Sequence, residues 1–228
     1  MNSTSSFALR ARKFARSAAA ATAAIGLCAT LTLTDGSTAS ASDGELPVNA
    51  LAAEITASAD QAVAALDAYE ASGDAADART FAWHRAITAR YTAQQLGYDE
   101  LAMVDAWGSA PLDHQRAVLG ALTQVGVPYR TNSSVEGEGF DCSGLTAYAW
   151  DGAGVELYRQ SGSQISEAES VSRETAKAGD LVHYPGHVML YLGVDDAIVH
   201  SVSTGRTVEI DTISASRRNT VSWGDPTA

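Results

Sequence analysis

The first regular pattern of hydrophobic positions is helical and lies in the N-terminal half of the chain. Apolar residues recur at three- and four-residue spacing over residues 51–69, which predicts one apolar face on an α-helix. Gly73 interrupts this pattern, and a second, alanine-rich face follows over residues 82–96 before Gly97. Two helices joined by so short a turn predict a helical hairpin, and no residue in it points to chemistry.

The middle of the chain mixes turn residues with two further helical patterns. A Gly-Ser-Ala-Pro stretch marks residues 99–110 as a boundary between domains. Asp113 has the position of an N-cap for a helix that stops at Gly126. Asn, Ser and Gly residues then predict a loop over residues 128–141, and a helix is expected over residues 142–153.

After residue 178 the hydrophobic period changes to that of β-strands. Four short segments are rich in β-branched or aromatic residues and are separated by Gly or Asp turns: residues 181–184, 187–192, 197–202 and 207–210. Helices followed by strands predict an α+β domain, with the helices packed on an antiparallel sheet. The predicted division is therefore a helical hairpin region over residues 42–110 and a second domain over residues 111–228.

The first 41 residues have the pattern of a secretion signal. Four basic residues precede an uncharged, apolar stretch over residues 18–33, and Ala39-Ser40-Ala41 offers a cleavage site. The apolar stretch is too short and too rich in alanine for a transmembrane helix. We expect an exported protein with no membrane attachment once the signal is removed. The alternatives are an amphipathic or disordered N-terminus, and lipid attachment at Cys28, which the bulky Leu27 disfavours.

Net charge and the cysteine count then restrict the function. The signal contains four of the 15 basic and one of the 27 acidic residues, so the remainder has 11 basic and 26 acidic residues and a formal net charge of -15. This charge argues against binding of nucleic acid or anionic lipid. Loss of Cys28 leaves Cys142 alone, which excludes an internal disulfide and a thiolate zinc site. We expect no metal and no other cofactor.

The position of Cys142 favours a reactive thiol over a buried bystander or an intermolecular bridge. It follows a glycine-rich loop and begins a predicted helix, where unpaired N–H groups and partial positive charge favour a thiolate. Ser143 and Gly144 are small and leave room for a substrate. The backbone N–H of Cys142 is also placed to help hold an oxyanion.

A thiolate of this kind needs a base, and the chain has five histidines. His187 begins a strand after a Pro-Gly turn and His200 lies on the next strand, so antiparallel pairing would bring both rings to one face. His200 would then orient His187. We expect His183 on a strand surface, His114 solvated in a first helical turn and His84 in a packing role. Spacing alone does not separate the five.

The segment from about residue 113 to 211 resembles the NlpC family of papain-like cell-wall cysteine peptidases. Six stretches match in family order: Gly126-Val127-Pro128-Tyr129, Phe140-Asp141-Cys142-Ser143-Gly144-Leu145, Arg159 through Gln164, Gly179-Asp180-Leu181-Val182, His187-Val188 with Tyr191-Leu192-Gly193, and Ile198-Val199-His200. The resemblance implies a papain-like domain after the hairpin. It also implies a catalytic set in which Cys142 is the nucleophile, His187 the base and His200 the orienting residue.

Four further residues are implied to bind substrate. Tyr129 matches a tyrosine whose hydroxyl lies near the oxyanion site, and Asp141 and Ser143 match positions that contact the amino end of the substrate. Arg159 begins a matched stretch and is predicted to bind substrate with them.

Three departures from the family pattern affect the expected cleft. Arg130-Thr131-Asn132 replaces an aromatic-Gly-Gly sequence, Met189 replaces a common glycine, and Ala178 replaces a usual proline. None of them removes a catalytic group. The first two change the walls of the cleft, so the bond preference is open.

The resemblance implies a secreted or cell-wall-associated bacterial endopeptidase that hydrolyses peptidoglycan stem peptides. The implied bond joins the γ-carboxyl of D-glutamate to a diamino acid. One alternative is a cysteine amidase or acyltransferase of the same fold with a substrate outside the wall. Another is a non-catalytic binding module that works through the hairpin. A protein partner or self-inhibition through the hairpin is a further hypothesis.

Overall fold

The computed structural model describes residues 46–227, so the predicted signal and Cys28 lie outside the described residues. None of the helices within this range is long and apolar enough to cross a membrane. The helices are α1 (Ala52–Ser72), α2 (Ala75–Leu96), α3 (Glu100–Ser109), α4 (Leu112–Leu122), α5 (Cys142–Gly152) and α6 (Ser161–Glu167). The strands are β1 (Ser134–Val135), β2 (Gly139–Phe140), β3 (Glu169–Ser170), β4 (Leu181–Tyr184), β5 (His187–Tyr191), β6 (Ala197–Ser201), β7 (Val208–Thr212) and β8 (Ser222–Asp225).

The main sheet has six antiparallel strands in the order β3-β8-β4-β5-β6-β7. The middle strands form consecutive hairpins because short turns containing Gly or Asp separate them. Helix α5 packs on β5 and β6, and a second helix, α4, packs on α5. The predicted α+β class, with helices on an antiparallel sheet, is confirmed.

The two faces of the main sheet have different surroundings. Val188, Leu190 and Val199 point into the large core shared with α4 and α5. The alternate residues of the same strands, Met189 and Ile198 among them, form a smaller apolar cluster on the opposite face. His187 and His200 belong to this second face by alternation along β5 and β6.

The predicted helical hairpin is present as α1 and α2. Both helices end at a glycine in the left-handed region, Gly73 and Gly97, each with φ of 68°. Fully buried alanines such as Ala62 and Ala89 allow the two helices to approach closely. The hairpin packs on α3 and α4 and contacts β7, and its apolar residues belong to the same core as the sheet. The division between residues 110 and 111 stays a prediction.

Several local predictions are wrong at helix boundaries. Residues 99–110, predicted as a boundary, contain the unpredicted helix α3, which Asp99 caps through a 2.7 Å hydrogen bond from the N–H of Ala102. Helix α4 begins at Leu112 with Pro111 at the N-cap position, so Asp113 is not the cap. The loop predicted over residues 128–141 contains the short β1–β2 pair. Helix α6 and strands β3 and β8 were not predicted, because they are short and lack a clear period.

His114 is the largest departure from the expected burial. Rather than being solvated, it is fully buried, with its Nδ1 3.0 Å from Asp113 and its Nε2 3.1 Å from Asp180 and 3.4 Å from Asp225. Burial by itself would lower the pKa of His114. Hydrogen bonds to Asp180 and Asp113 and the charge of Asp225 outweigh burial and raise that pKa. The ring of His114 therefore ties the start of α4 to the ends of β4 and β8 through these carboxylates.

We expect the stability of the protein to fall as the pH rises through the raised pKa of His114. Because the folded pKa exceeds the unfolded value of 6.5, the stabilisation is complete below pH 6.5 and is lost above the folded pKa. His114→Gln should lower the free energy of unfolding by about 3 kcal/mol at pH 6, and the difference should shrink at higher pH. Urea unfolding across this pH range measures both effects. His84→Gln is the control, and an undiminished pH dependence in His114→Gln would contradict the assignment.

Candidate active site

Cys142 is the first residue of α5 and is half-buried. The preceding residue, Asp141, is the N-cap, and its Oδ1 accepts a 2.7 Å hydrogen bond from the N–H of Gly144. Only glycine fits at position 144, because a Cβ there would lie 2.0 Å from the carbonyl oxygen of Ser133. The glycine-rich loop is therefore drawn against the first turn of α5, and the thiol lies at the positive end of the helix.

Arg159 holds the two residues that flank Cys142. Its Nη1 donates to Oδ1 of Asp141 and to Oγ of Ser143, each at 2.9 Å, and its Nη2 donates to Oδ2 of Asp141 at 2.6 Å. The hydrogen bond to Asp141 raises the pKa of Arg159. Three of the predicted substrate-binding residues are thus brought together. They bind one another, so the charge of Asp141 is already compensated.

Buried Gln164 fixes the loop that carries Arg159. Its Nε2 donates to the carbonyl oxygens of Ser143 and Tyr158 at 2.9 and 2.8 Å, and its Oε1 accepts from Thr146 at 2.7 Å. The amide therefore joins the first turn of α5 to the segment before α6. Sequence reasoning included Gln164 in a matched stretch but gave it no role.

The two predicted catalytic histidines form a direct pair. Nε2 of His187 lies 2.9 Å from Nδ1 of His200, and the two rings are nearly perpendicular. Both side chains are buried, so this hydrogen bond is protected from water. Their expected placement on one face of neighbouring strands is confirmed.

His183 points away from this pair. It lies opposite Val188 in the β4–β5 register, whereas Tyr184 lies opposite His187, and directly paired residues share a face of the sheet. His183 is half-buried rather than on the surface, and burial lowers its pKa.

Asp211 is a site residue that the sequence did not reveal. Its Oδ2 lies 3.7 Å from Nε2 of His200, which is longer than a hydrogen bond and within range of a direct charge interaction. The neighbouring imidazole keeps the pKa of Asp211 below its ordinary value. Glu209 lies opposite His200 in the β6–β7 register but bonds to Arg206 instead. Asp211 is thus the carboxylate that interacts electrostatically with the ring of His200.

These positions favour one arrangement of protons on the two rings. The charge of Asp211 favours a proton on Nε2 of His200, which leaves Nδ1 of His200 as an acceptor. His187 then donates its Nε2–H to that acceptor, and its own Nδ1 carries a lone pair. The arrangement prepares His187 to take a proton through Nδ1.

Burial is also the main reason that His187 is neutral. Burial, followed by the charges of His200 and Arg217, lowers the pKa of His187 to about 3. Tyr184 lies beside His187, with ring centroids 5.2 Å apart. Burial raises the pKa of Tyr184, Arg217 opposes this rise, and Cys142 adds to it. The thiol is therefore within electrostatic reach of the residue that contacts His187.

Tyr129 lies at the edge of the same region. It forms a parallel bridge with Phe140, and its N–H donates to the carbonyl oxygen of Arg206 at 2.9 Å. Its side chain is half-buried. The backbone thus holds Tyr129 beside the residues that flank Cys142.

One group within residues 46–227 could offer three ligand atoms to a cation: His114, Asp180 and Asp225. These three side chains already contact one another. Asp225 also accepts two hydrogen bonds from Thr227 and lies 3.3 Å from the ammonium of Lys177.

Residues 126–224 match the family model of NlpC/P60. The chain carries an NlpC/P60 domain. The match contains the catalytic set expected from the sequence and the residues around it, and the resemblance drawn from the six stretches is confirmed.

Curated relatives of this NlpC/P60 domain have cell-wall names. The peptidoglycan endopeptidase RipB of Mycobacterium tuberculosis is 40% identical over 102 residues, which cover 38% of this chain and 42% of the relative. The gamma-D-glutamyl-L-lysine dipeptidyl-peptidase of Bacillus subtilis is 29% identical over 119 residues, which cover 46% of this chain and 40% of the relative. The chain thus spans less than half the length of these relatives.

Solved structures of similar domains include the P60 domain of the M. avium subspecies paratuberculosis antigen MAP1204. It is 25% identical, has a TM-score of 0.44, and is aligned over 51% of this chain and 96% of its own. RipD of M. tuberculosis, described as a non-catalytic NlpC/p60 domain protein, is 28% identical with a TM-score of 0.41, over 50% of this chain and 98% of its own.

We expect His187 to stay neutral at pH 5, with its proton on Nε2. Its pKa of about 3 places the protonation of the ring far below the usual range for histidine. Nitrogen-15 NMR of the ring nitrogens measures both the tautomer and the pKa, and His187→Gln assigns the signal. Asp211→Ala should give His200 a mixture of tautomers. Titration of His187 near pH 6.5 would contradict the geometry.

Proposed function

We propose that this chain is an exported bacterial cysteine peptidase that hydrolyses peptidoglycan stem peptides. The observation that carries the proposal is the buried His187–His200 hydrogen bond, which lies in an NlpC/P60 domain whose match includes Cys142 at the start of a helix. Secretion, or association with the cell wall, follows from the predicted signal and from the names of the relatives.

In the proposed reaction, Cys142 attacks the carbonyl carbon of the scissile peptide bond. Nδ1 of His187 accepts the thiol proton and passes it to the leaving amine as the C–N bond breaks. A thioester remains. His187 then takes a proton from water, the resulting hydroxide attacks the thioester, and the thiol is regenerated as the acid product leaves.

The low pKa of His187 affects the transfer of the thiol proton to its ring. A buried imidazole that is neutral is free to accept a proton, and its protonation becomes favourable once a thiolate forms within electrostatic reach. His200 and Asp211 oppose rotation of the His187 ring and fix its tautomer, so they are positioning residues.

The oxyanion formed during attack requires donors at the start of α5. We propose the backbone N–H of Cys142 as one donor, because the first N–H groups of a helix have no partner within the helix. The hydroxyl of Tyr129 is the second candidate. One such donor contributes about 3 kcal/mol to the barrier.

For the scissile bond we propose the link between the γ-carboxyl of D-glutamate and a diamino acid. The relative from Bacillus subtilis is named for a γ-D-glutamyl-L-lysine bond, which favours this choice. Arg159 already engages both carboxylate oxygens of Asp141 and the hydroxyl of Ser143. A substrate ammonium would have to displace it, so we infer cleavage within a longer peptide, with Asp141 and Ser143 orienting Arg159 toward substrate.

The role of the helical hairpin stays a prediction. Its apolar face packs on α4 and β7 as part of the common core, which favours a fixed structural element over a removable cover. We separately propose that the hairpin docks a protein partner or inhibits the enzyme. Proteolytic removal of the residues before α3 would test this proposal.

Cys142→Ala should abolish hydrolysis of purified wall peptides without changing the fold, because the half-buried side chain contributes little to the core. His187→Ala should lower kcat by at least about 100-fold, the typical contribution of a general base. Mass spectrometry of products from defined stem peptides measures the activity and identifies the bond. Circular dichroism checks the fold.

His84→Gln is the matched histidine control and should retain full activity, since His84 lies on α2. Retained activity in Cys142→Ala would overturn the mechanism. An inactive wild-type protein whose thiol reacts with iodoacetamide only as fast as a free cysteine would indicate a binding module. A thioester captured by added amine, without hydrolysis of wall peptides, would indicate an acyltransferase.

A further inference from the structure

Two adjacent arginines precede β8, and they have different surroundings. Arg218 forms an ion pair with Asp196, which also binds Arg173. Arg217 has no carboxylate partner among residues 46–227, although acidic residues greatly outnumber basic ones in the sequence. Its side chain is exposed, so it is accessible to a ligand.

Arg217 is nevertheless held in a defined place. Its guanidinium carbon lies 3.8 Å from the ring centroid of Tyr184, close enough for a cation–π interaction. Tyr184 also contacts His187, whose ring centroid is 5.2 Å from its own. Arg217 is therefore linked to His187 through a single intervening ring, that of Tyr184.

The charge of Arg217 reaches the reacting groups. It contributes to the lowered pKa of His187 and acts on Tyr184, which also senses Cys142. The positive charge of Arg217 makes His187 a weaker base, which by itself disfavours transfer of the thiol proton to His187. The arrangement becomes favourable if an anion of the substrate compensates the charge of Arg217 during the reaction.

A guanidinium is well suited to a carboxylate, because its planar N–H groups match the two oxygens. A γ-linked glutamate supplies such a group: its side-chain carboxyl forms the scissile bond, and its α-carboxyl stays free a few bonds away. We propose that Arg217 binds this free α-carboxylate and selects γ-linked acidic residues on the acyl side of the scissile bond. The inference rests on the proposed function and specifies its substrate.

The test uses two synthetic stem peptides that differ only at D-glutamate, one with a free α-carboxylate and one with an α-carboxamide. Wild-type protein should cleave the carboxylate form with about 10-fold higher kcat/KM, mainly through KM, as expected for one charge-assisted contact. Arg217→Gln should lose this preference and Arg217→Lys should keep part of it. An effect of the Arg217 substitution on the pKa of His187 cancels from the ratio of the two kcat/KM values, because both peptides are compared in the same variant at the same pH.

Arg218→Gln is the matched control and should retain the preference, because its charge is committed to Asp196. Calorimetric titration of both peptides into Cys142→Ala, with and without Arg217→Gln, measures binding in the absence of turnover. Equal cleavage or equal binding of the two peptides by the proteins with Arg217 intact would overturn the inference while leaving the peptidase function intact. If neither peptide is cleaved, the proposed function fails. Binding that depends on Arg217 would then still support the carboxylate site.

Discussion

The register between β5 and β6 is the constraint on which the candidate site depends. Leu190 lies opposite Val199 and Tyr191 opposite Ile198, and this pairing brings His187 and His200 onto one face within hydrogen-bond distance. A slip of one residue would place one imidazole in the main core and the other outside it. Burial of Val188, Leu190 and Val199 against α5 disfavours that slip, so core packing fixes the geometry of the histidine pair.

Positive charge near Cys142 and the histidine pair comes from several elements. The N-terminus of α5, the guanidinium of Arg159 and the guanidinium of Arg217 come from three separate parts of the chain. His187 itself stays neutral, because burial and the nearby cations disfavour a proton on its ring.

The His114 cluster plays a comparable structural role at the other end of the sheet. Asp180 begins the turn into β4 and Asp225 ends β8, and both buried carboxylates lie within 3.4 Å of Nε2 of His114. The first turn of α4 was expected to be exposed, since neither carboxylate is near His114 in the sequence. Only the return of β8 beside β4 brings them together.

The sequence by itself determined the class of fold, the helical hairpin, the four central strands and the positions of Cys142, His187 and His200. Each of these depends on local information: the period of apolar residues, the placement of glycines, or a short motif. The tertiary structure decided that Arg159 binds Asp141 and Ser143, that Asp211 acts on His200, and that Arg217 stacks on Tyr184. These contacts join residues from different elements, and their distances follow from strand register and loop packing, which no local pattern encodes.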